Sequence, residues 1–247
     1  MLKIENVETY GWEAAIRGMR NPKNSWDKSD SEHDSCTDSC AKWDECHVGY
    51  HCPAIKNEDD SYFCIGKNDL DLMKRLANAG TDHGKFLRMI TVTLDIVAPL
   101  YWWKEFDTYK VGTVANSCST MHKIHAKEFT LDDFSHEHMI GNEASIEDWW
   151  HDEDFNEFWS ANDILCQTVY VLNLYRDKFI ETKDKRYWWQ MIQLLPISYN
   201  QRRTVQLNYA VLKNIYHARK DHKLDEWHTL CDWIESLPYS ELITGRH

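Results

Sequence analysis

The segment ITVTLDIVAPLYWWKEF, residues 90–106, constrains the fold more than any other part of the sequence. Apolar and polar residues alternate from Ile90 to Ile96, and several of them are β-branched, which predicts a half-buried strand. Pro99 ends that strand. Because proline suits the first turn of a helix, we expect it to open an amphipathic helix over the aromatic residues that follow.

Helical spacing recurs on both sides of this strand and helix. A short helix is expected from Gly66 to Gly80, with Asn68 as its N-cap and Asp71 three residues on, as in a capping box. Gly80 would end it.

A long amphipathic helix is predicted from Asp163 to Phe179 behind an Asn162 cap, and a second helix runs up to Pro196. The segment RRTVQLN, residues 202–208, reads as a short strand, and two further helices follow it. We therefore predict an α+β fold, in which a single domain over residues 1–247 holds one modest β-sheet flanked by several helices.

Composition narrows the possible partners. The chain has 247 residues, of which 43% are hydrophobic and 28% are charged, as in ordinary folded domains. A net charge of −12 argues against nucleic acid and anionic membranes as partners, although a small anion could still bind in a local basic pocket. The sequence shows neither a signal peptide nor a membrane-spanning run, so we expect a cytoplasmic protein.

Two segments look like additions to the domain. A Cys-rich insertion at about 33–64 carries more soft ligands than the four that a closed zinc site uses, but it has no CxxC pair. Structural zinc, a disulfide pair and a plain mobile loop remain open for it. The candidate zinc ligands are Cys36, Cys40, Cys46, Cys52 and Cys64. An acidic and aromatic excursion at about 143–159 is expected to dock its aromatic side chains and expose its acids.

The order of strand, Ala-Pro, amphipathic helix and polar segment ending in Asn-x-x-Ser resembles the flavin-dependent thymidylate synthases. Upstream, NAGTDHGKFLRMITVTLDI is similar to that family's Gly-His-Glu-x-Pro-Phe-Glu-His stretch. Downstream, Leu195 and Pro196 match its Leu-Pro, Asn208 matches the asparagine of its Asn-Ala-Arg motif, and Arg219 matches an arginine one helix later. The resemblance covers about two thirds of the chain.

The chain departs from the family at charged positions. Thr108, Tyr109 and Lys110 stand where the family has Arg-His-Arg, and His122 ends a segment that replaces its Ser-x-Arg-Tyr. Lysine is a point charge, whereas arginine binds phosphate with a rigid two-pronged fork, so phosphates would have to be held differently. Arg202 and Arg203 could supply the missing charge, or could be solvated turn residues.

The resemblance implies roles for individual residues. It implies catalytic roles for Ser119 and Arg219; cofactor contacts for His83, Thr108, Tyr109, Lys110, Asn116 and Asn208; and substrate contacts for Arg20, Ser25 and Arg219. Residue chemistry adds His122 as a catalytic candidate, because histidine can move protons near neutral pH, and adds the charges of Arg202 and Arg203 as substrate contacts. Structural alternatives stand beside these roles. Asn208 could cap a helix, Arg219 could form a surface ion pair, and the Ser119 hydroxyl could satisfy nearby backbone groups.

The implied activity is reductive methylation of dUMP or a related pyrimidine nucleotide, with FAD as cofactor and methylenetetrahydrofolate and NAD(P)H as co-substrates. The active sites of the family lie between subunits, so a homotetramer is expected. The alternative is a non-catalytic module that kept the fold but lost the Arg-His-Arg chemistry, and that binds a nucleotide, a flavin or another protein.

Overall fold

A computed structural model describes residues 2–33, 63–141 and 160–245. Its strands are β1 (Lys3–Tyr10), β2 (Glu32–His33), β3 (Phe63–Cys64), β4 (Thr91–Pro99), β5 (Val114–Ser117) and β6 (Asn200–Asn208). A four-stranded sheet has the order β1-β4-β6-β5. Strands β2 and β3 form a separate antiparallel pair in which Glu32 lies opposite Cys64.

Helices make up most of the remaining regular structure. They are α1 (Trp12–Arg20), α2 (Lys67–Asn78), α3 (Leu100–Phe106), α4 (Ala161–Thr182), α5 (Lys185–Leu194), α6 (Tyr209–Arg219), α7 (Asp225–Glu235) and α8 (Glu241–Thr244). The predicted α+β class, with one modest sheet and several helices, is confirmed. None of the helices in the described ranges combines the length and the apolar character that crossing a membrane requires.

The chain divides into two compact units. Among the described residues, unit 1 comprises 2–3, 96–108, 116–141 and 160–203, and unit 2 comprises 4–33, 63–95, 109–115 and 204–245. The prediction of a single domain over 1–247 stays a prediction. Most of the Cys-rich insertion and all of the acidic and aromatic excursion lie outside the described residues.

The core of unit 1 forms where α4 and α5 pack on the segment that follows β5. Its buried members are Ile124, Phe129, Phe134, Leu165, Val169, Leu172 and Met191. The Asn173 side chain holds that segment on α4, because it accepts a hydrogen bond from the Phe129 nitrogen (2.8 Å) and donates one to the Phe129 oxygen (2.9 Å). Pairing both backbone groups avoids the cost of burying them unsatisfied.

Unit 2 packs its helices around an aromatic cluster. The Trp12 and Tyr209 rings meet edge to face with centroids 5.1 Å apart, and Tyr239 lies 5.5 Å from Trp12. The Tyr209 hydroxyl donates to the Pro238 carbonyl, so this fully buried tyrosine is also satisfied as a donor. The cluster joins α1, α6 and the turn before α8.

The strand and helix predicted around Pro99 are confirmed. Strand β4 alternates half-buried and buried residues, and α3 begins directly after Pro99. The predicted strand at 202–208 is also confirmed as β6, which begins slightly earlier, at Asn200.

Two predicted helix caps are wrong. The N-cap of α2 is Gly66, and the first turn is capped by the distant Asp30 carboxylate, which accepts from the Asn68 and Asp69 nitrogens at 2.8 and 3.0 Å. The N-cap of α4 is Ser160, which forms a capping box with Asp163, so the predicted Asn162 lies inside the first turn. In both helices a side chain before the predicted start accepts the first backbone hydrogen bonds, namely the Asp30 carboxylate for α2 and the Ser160 hydroxyl for α4.

Candidate functional site

Arg219 lies in the last turn of α6 and contacts two aromatic side chains of unit 2. Its Nε atom donates to the Tyr109 hydroxyl at 2.9 Å. Its guanidinium carbon lies 4.7 Å from the centroid of the Trp227 ring and 5.6 Å from that of Tyr109. Trp227 is fully buried, so the guanidinium rests on a rigid aromatic surface that favours a cation.

Asn208 ends β6 and caps α6. Its Oδ1 atom accepts from the Val211 nitrogen at 3.1 Å, so the helix-cap role considered from the sequence is realised. Gly112 packs against its amide: a Cβ atom on Gly112 would lie only 2.9 Å from Asn208 Nδ2. Gly112 has φ +78°, a left-handed conformation that favours glycine. Glycine therefore lets the 109–115 segment approach the start of α6.

A pocket of about 630 Å³ opens in unit 2. It is lined by the end of α2 and the turn after it, by the 3₁₀ turn Gly84–Arg88, by one face of α6 and by the end of α8. His83 is exposed and lies between Thr81 and Gly84, which both line the pocket. The ionisable side chains in the lining are Arg88, Lys213 and His217.

Lys213 is held at the wall of this pocket. Its Nζ atom donates to the Ala77 carbonyl, in the last turn of α2, at 2.8 Å. Partial burial lowers the pKa of Lys213 below its ordinary value. The carbonyl end of a helix favours a cation, which opposes that effect and fixes the direction of the ammonium group.

In unit 1, the segment after β5 is attached to β6. The Cys118 nitrogen donates to the Arg202 carbonyl at 2.9 Å, and the Gln201 side chain donates to the Cys118 carbonyl at 2.9 Å. Cys118 itself is exposed. These bonds place Asn116, which is exposed on β5, beside β6.

Arg203 is a fixed cation in unit 1. Its guanidinium carbon lies 4.1 Å from the centroid of the buried Trp103 ring. Nη1 donates to Asp107 at 2.7 Å and Nε donates to Gln201 Oε1 at 2.9 Å. Arg203 is therefore not a solvated turn residue, whereas the Arg202 side chain is exposed.

The remaining predicted residues of unit 1 make local contacts. Ser119 Oγ accepts a hydrogen bond from the His122 backbone nitrogen at 2.9 Å. This is the structural alternative predicted for Ser119, in which its hydroxyl satisfies a nearby backbone group. Thr108 Oγ1 donates to the Glu105 carbonyl at 2.7 Å. Ser119 and His122 are both exposed, and their catalytic roles stay predictions.

Arg20 and Ser25 belong to a buried polar network in unit 2. Arg20 is 4% exposed, and its Nε atom donates to Asp69 at 2.6 Å. Its Nη atoms donate to the Ser25 and Lys28 carbonyls at 3.1 and 2.9 Å. These contacts give Arg20 a structural function, and its predicted contact with substrate stays a prediction.

The zinc prediction falls mostly outside the described ranges. Cys36, Cys40, Cys46 and Cys52 are not among the described residues, and Cys64 is buried in β3. Within the described ranges no group of three or more His, Cys, Asp or Glu side chains could hold a metal ion. Zinc in the Cys-rich insertion therefore stays a prediction.

The predicted residues are divided between the two units. Tyr109, Asn208 and Arg219 lie in unit 2, with Lys110 exposed on the same segment as Tyr109, whereas Ser119, His122 and Arg203 lie in unit 1. The sequence interpretation missed the pocket residues Arg88, Lys213 and His217. A signal existed for part of this set, because Ala210, Lys213, Asn214 and His217 recur at helical spacing and so share one face of α6.

Comparison with known proteins gives matches to solved structures only. No protein-family model and no curated protein matches the chain. The flavin-dependent thymidylate synthase ThyX from Helicobacter pylori, complexed with FAD and dUMP, superposes with a TM-score of 0.60 at 16% identity, over 98% of both chains. The UMP/dUMP methylase PolB from Streptomyces cacaoi, bound with 5-Br dUMP, gives 0.53 at 12% identity over 99% of this chain and 95% of that one.

These similarities establish the architecture. The chain has the fold of the flavin-dependent thymidylate synthases along nearly its whole length, as the sequence resemblance predicted. At such identities a shared fold does not fix the chemistry, which depends on the residues at the site.

Proposed function

We propose that this protein binds FAD and a pyrimidine nucleotide and reductively methylates the pyrimidine ring. Methylenetetrahydrofolate would supply the carbon and NAD(P)H the reducing equivalents, within a cytoplasmic homotetramer. The observation that carries the proposal is the similarity in fold, over 98% of this chain, to an enzyme whose structure holds FAD and dUMP.

The residues of unit 2 suit a flavin cofactor. FAD joins a flat, largely apolar ring system to a negatively charged pyrophosphate. The pocket beside His83 offers apolar surface from Leu87 and Ala210 together with cations at Arg88 and Lys213. Its volume of about 630 Å³ lies within the range of ligand pockets. When bound, FAD supplies the redox chemistry, and the protein supplies binding, orientation and charge.

Arg219 and Asn208 would orient the reactants. The Arg219 guanidinium is fixed by Tyr109 and Trp227, so little reorganisation would be needed to present its charge. Asn208 is fixed because its oxygen caps α6. In unit 1, Arg203 is fixed on Trp103 and paired with Asp107, and its contact with substrate stays a prediction.

A binding protein without turnover is the second candidate. It is favoured by Tyr109, which stands at the histidine of the Arg-His-Arg motif and whose hydroxyl accepts a hydrogen bond from Arg219. The two arginines that flank that histidine are replaced by Thr108, which is uncharged, and by Lys110, which lacks the two-pronged guanidinium. In this case FAD or the nucleotide would bind, and no methylated product would form.

Mass spectrometry of reaction products separates the two functions. The protein is incubated with FAD, NADPH, methylenetetrahydrofolate and either dUMP or UMP, and the nucleotide is examined for an added methyl group. The proposal predicts a methylated product that is lost in Arg219→Gln and kept in Arg17→Gln, which alters an exposed arginine of α1. Flavin binding without product would support the second candidate instead.

A further inference from the structure

The pocket of unit 2 has a positively charged lining in an acidic protein. The chain has a net charge of −12. Among the described residues that line the pocket, none is Asp or Glu, whereas Arg88, Lys213 and His217 are basic. Arg88 forms no ion pair within the described ranges, so its charge is not compensated there. A local excess of positive charge attracts an anion.

Lys213 is the most precisely placed of these cations. One of its three N–H groups is directed to the Ala77 carbonyl at 2.8 Å, which leaves donors for a ligand. Arg88 enters the pocket from the 3₁₀ turn and Lys213 from α6, so an anion would be approached from two elements. The other lining groups include Ala77, Leu87 and Ala210, which offer apolar contact beside the charges.

We infer that this pocket recognises a phosphate group and that Lys213 and Arg88 are the residues that bind it. Lysine is an effective point-charge ligand for phosphate, and charge-assisted hydrogen bonds are about twice as strong as neutral ones. The inference rests on the proposed function in one respect. It takes the phosphate to be that of FAD or of the pyrimidine nucleotide, which carry the same chemistry.

Calorimetry with inorganic pyrophosphate, FAD, dUMP and riboflavin tests the inference on the full-length protein. The variants are Lys213→Met, which keeps most of the length of the side chain and removes its charge, and Arg88→Met, which alters an exposed residue and is expected to fold normally. Lys220→Met removes the same charge from an exposed position just beyond α6 and serves as the control. Circular dichroism checks that each variant is folded.

We expect Lys213→Met and Arg88→Met each to weaken pyrophosphate binding by about tenfold or more, and Lys220→Met to leave it unchanged. If FAD is the source of the phosphate, its affinity falls in the two pocket variants while riboflavin, which has no phosphate, is unaffected. If the nucleotide is the source, the affinity for dUMP falls instead.

The pattern of ligand binding distinguishes a wrong inference from a wrong proposed function. If the native protein binds FAD or dUMP and both pocket variants keep native affinity for these ligands and for pyrophosphate, the pocket does not recognise phosphate. If the native protein binds neither FAD nor dUMP but binds pyrophosphate through Lys213 and Arg88, the proposed function is wrong and the phosphate site stands. If it binds none of the three, both are wrong.

Discussion

The Nε atom of Arg219 donates a 2.9 Å hydrogen bond to the hydroxyl of Tyr109, 110 positions earlier in the chain. The bond links the last turn of α6 to the segment that corresponds to the Arg-His-Arg motif of the flavin-dependent thymidylate synthases. The guanidinium also rests on Trp227, so the Arg219 cation, whose spacing from Asn208 matches the family motif, has a fixed position. Tyr109 is therefore a positioning residue for Arg219.

Tyr109→Phe removes the acceptor and keeps the ring. We expect the free energy of unfolding to fall by about 1 kcal/mol, because a partly buried hydrogen bond to a charged group contributes about this much after screening by solvent. We also expect the affinity for dUMP to fall severalfold. Urea unfolding and calorimetry measure the two effects, with Tyr170→Phe, an exposed tyrosine of α4, as control. Equal behaviour of the two variants would show that the hydrogen bond has no role.

Gly112→Ala tests the contact between the 109–115 segment and Asn208. The residue has φ +78°, and its new Cβ would lie 2.9 Å from Asn208 Nδ2 and 3.3 Å from a methyl carbon of Val211. We expect a loss of about 1–3 kcal/mol in stability from backbone strain and crowding. Gly80→Ala is the matched control, since Gly80 also has a positive φ (+104°) and its Cβ would meet no described atom within 4 Å. The contact is refuted if both variants unfold at the same urea concentration.

Asp69→Asn tests the buried network around Arg20. Asp69 is 0% exposed, and besides Arg20 it accepts hydrogen bonds from the Ser29 and Ser31 hydroxyls at 2.7 and 2.6 Å. Losing its charge leaves the Arg20 guanidinium buried without a counter-ion, which typically costs about 3–5 kcal/mol. Denaturant unfolding should show this loss, and Asp71→Asn, on the exposed side of α2, should change little. A small effect at Asp69 would mean that the network does not stabilise the fold.

The cysteines Cys118 and Cys231 are expected to differ in reactivity. Burial, with nearby carboxylates adding to it, raises the pKa of Cys231 to about 11, whereas Cys118 is exposed. Since the thiolate is the reactive form, iodoacetamide at pH 8 should modify Cys118 and leave Cys231 unmodified until the protein is denatured. Peptide mass spectrometry measures both sites. Rapid native labelling of Cys231 would contradict its burial.

The same raised pKa has a consequence for stability. The unfolded chain releases the Cys231 proton near the ordinary value of 9.0, while the folded chain holds it until about 11. The folded state therefore binds more protons between these values, so its stability should fall as pH rises through that window. Cys231→Ala should reduce this alkaline loss, as measured by urea unfolding at a series of pH values.

Local sequence patterns predicted the strand before Pro99, the helix after it and the strand that precedes Asn208. Each of these depends on alternation, on helical spacing or on proline, which act over a few residues. The caps were harder to predict. Asp30 caps α2 across a long separation in sequence, and no local rule selects such a partner over the nearby Asn68.

The residues of the candidate site also differ in how far the sequence could predict them. Asn208 and Arg219 could be located because their spacing matches a family motif, and the structure gives both of them fixed positions. The pocket residues could not, because Lys213 and Arg88 become neighbours only when α6 packs beside the 3₁₀ turn. For Arg20, the resemblance suggested a contact with substrate. The structure instead pairs it with the buried Asp69, which lies 49 positions away in the sequence.

The proposed function requires the chain to bind a flavin and a pyrimidine nucleotide together on its thymidylate synthase-like fold. An absorbance spectrum of the purified protein, titrated first with FAD and then with dUMP, tests it most directly. We expect FAD to bind with perturbed flavin bands and dUMP to shift these bands further. A protein that leaves the flavin spectrum unchanged at every concentration, with and without dUMP, would contradict it.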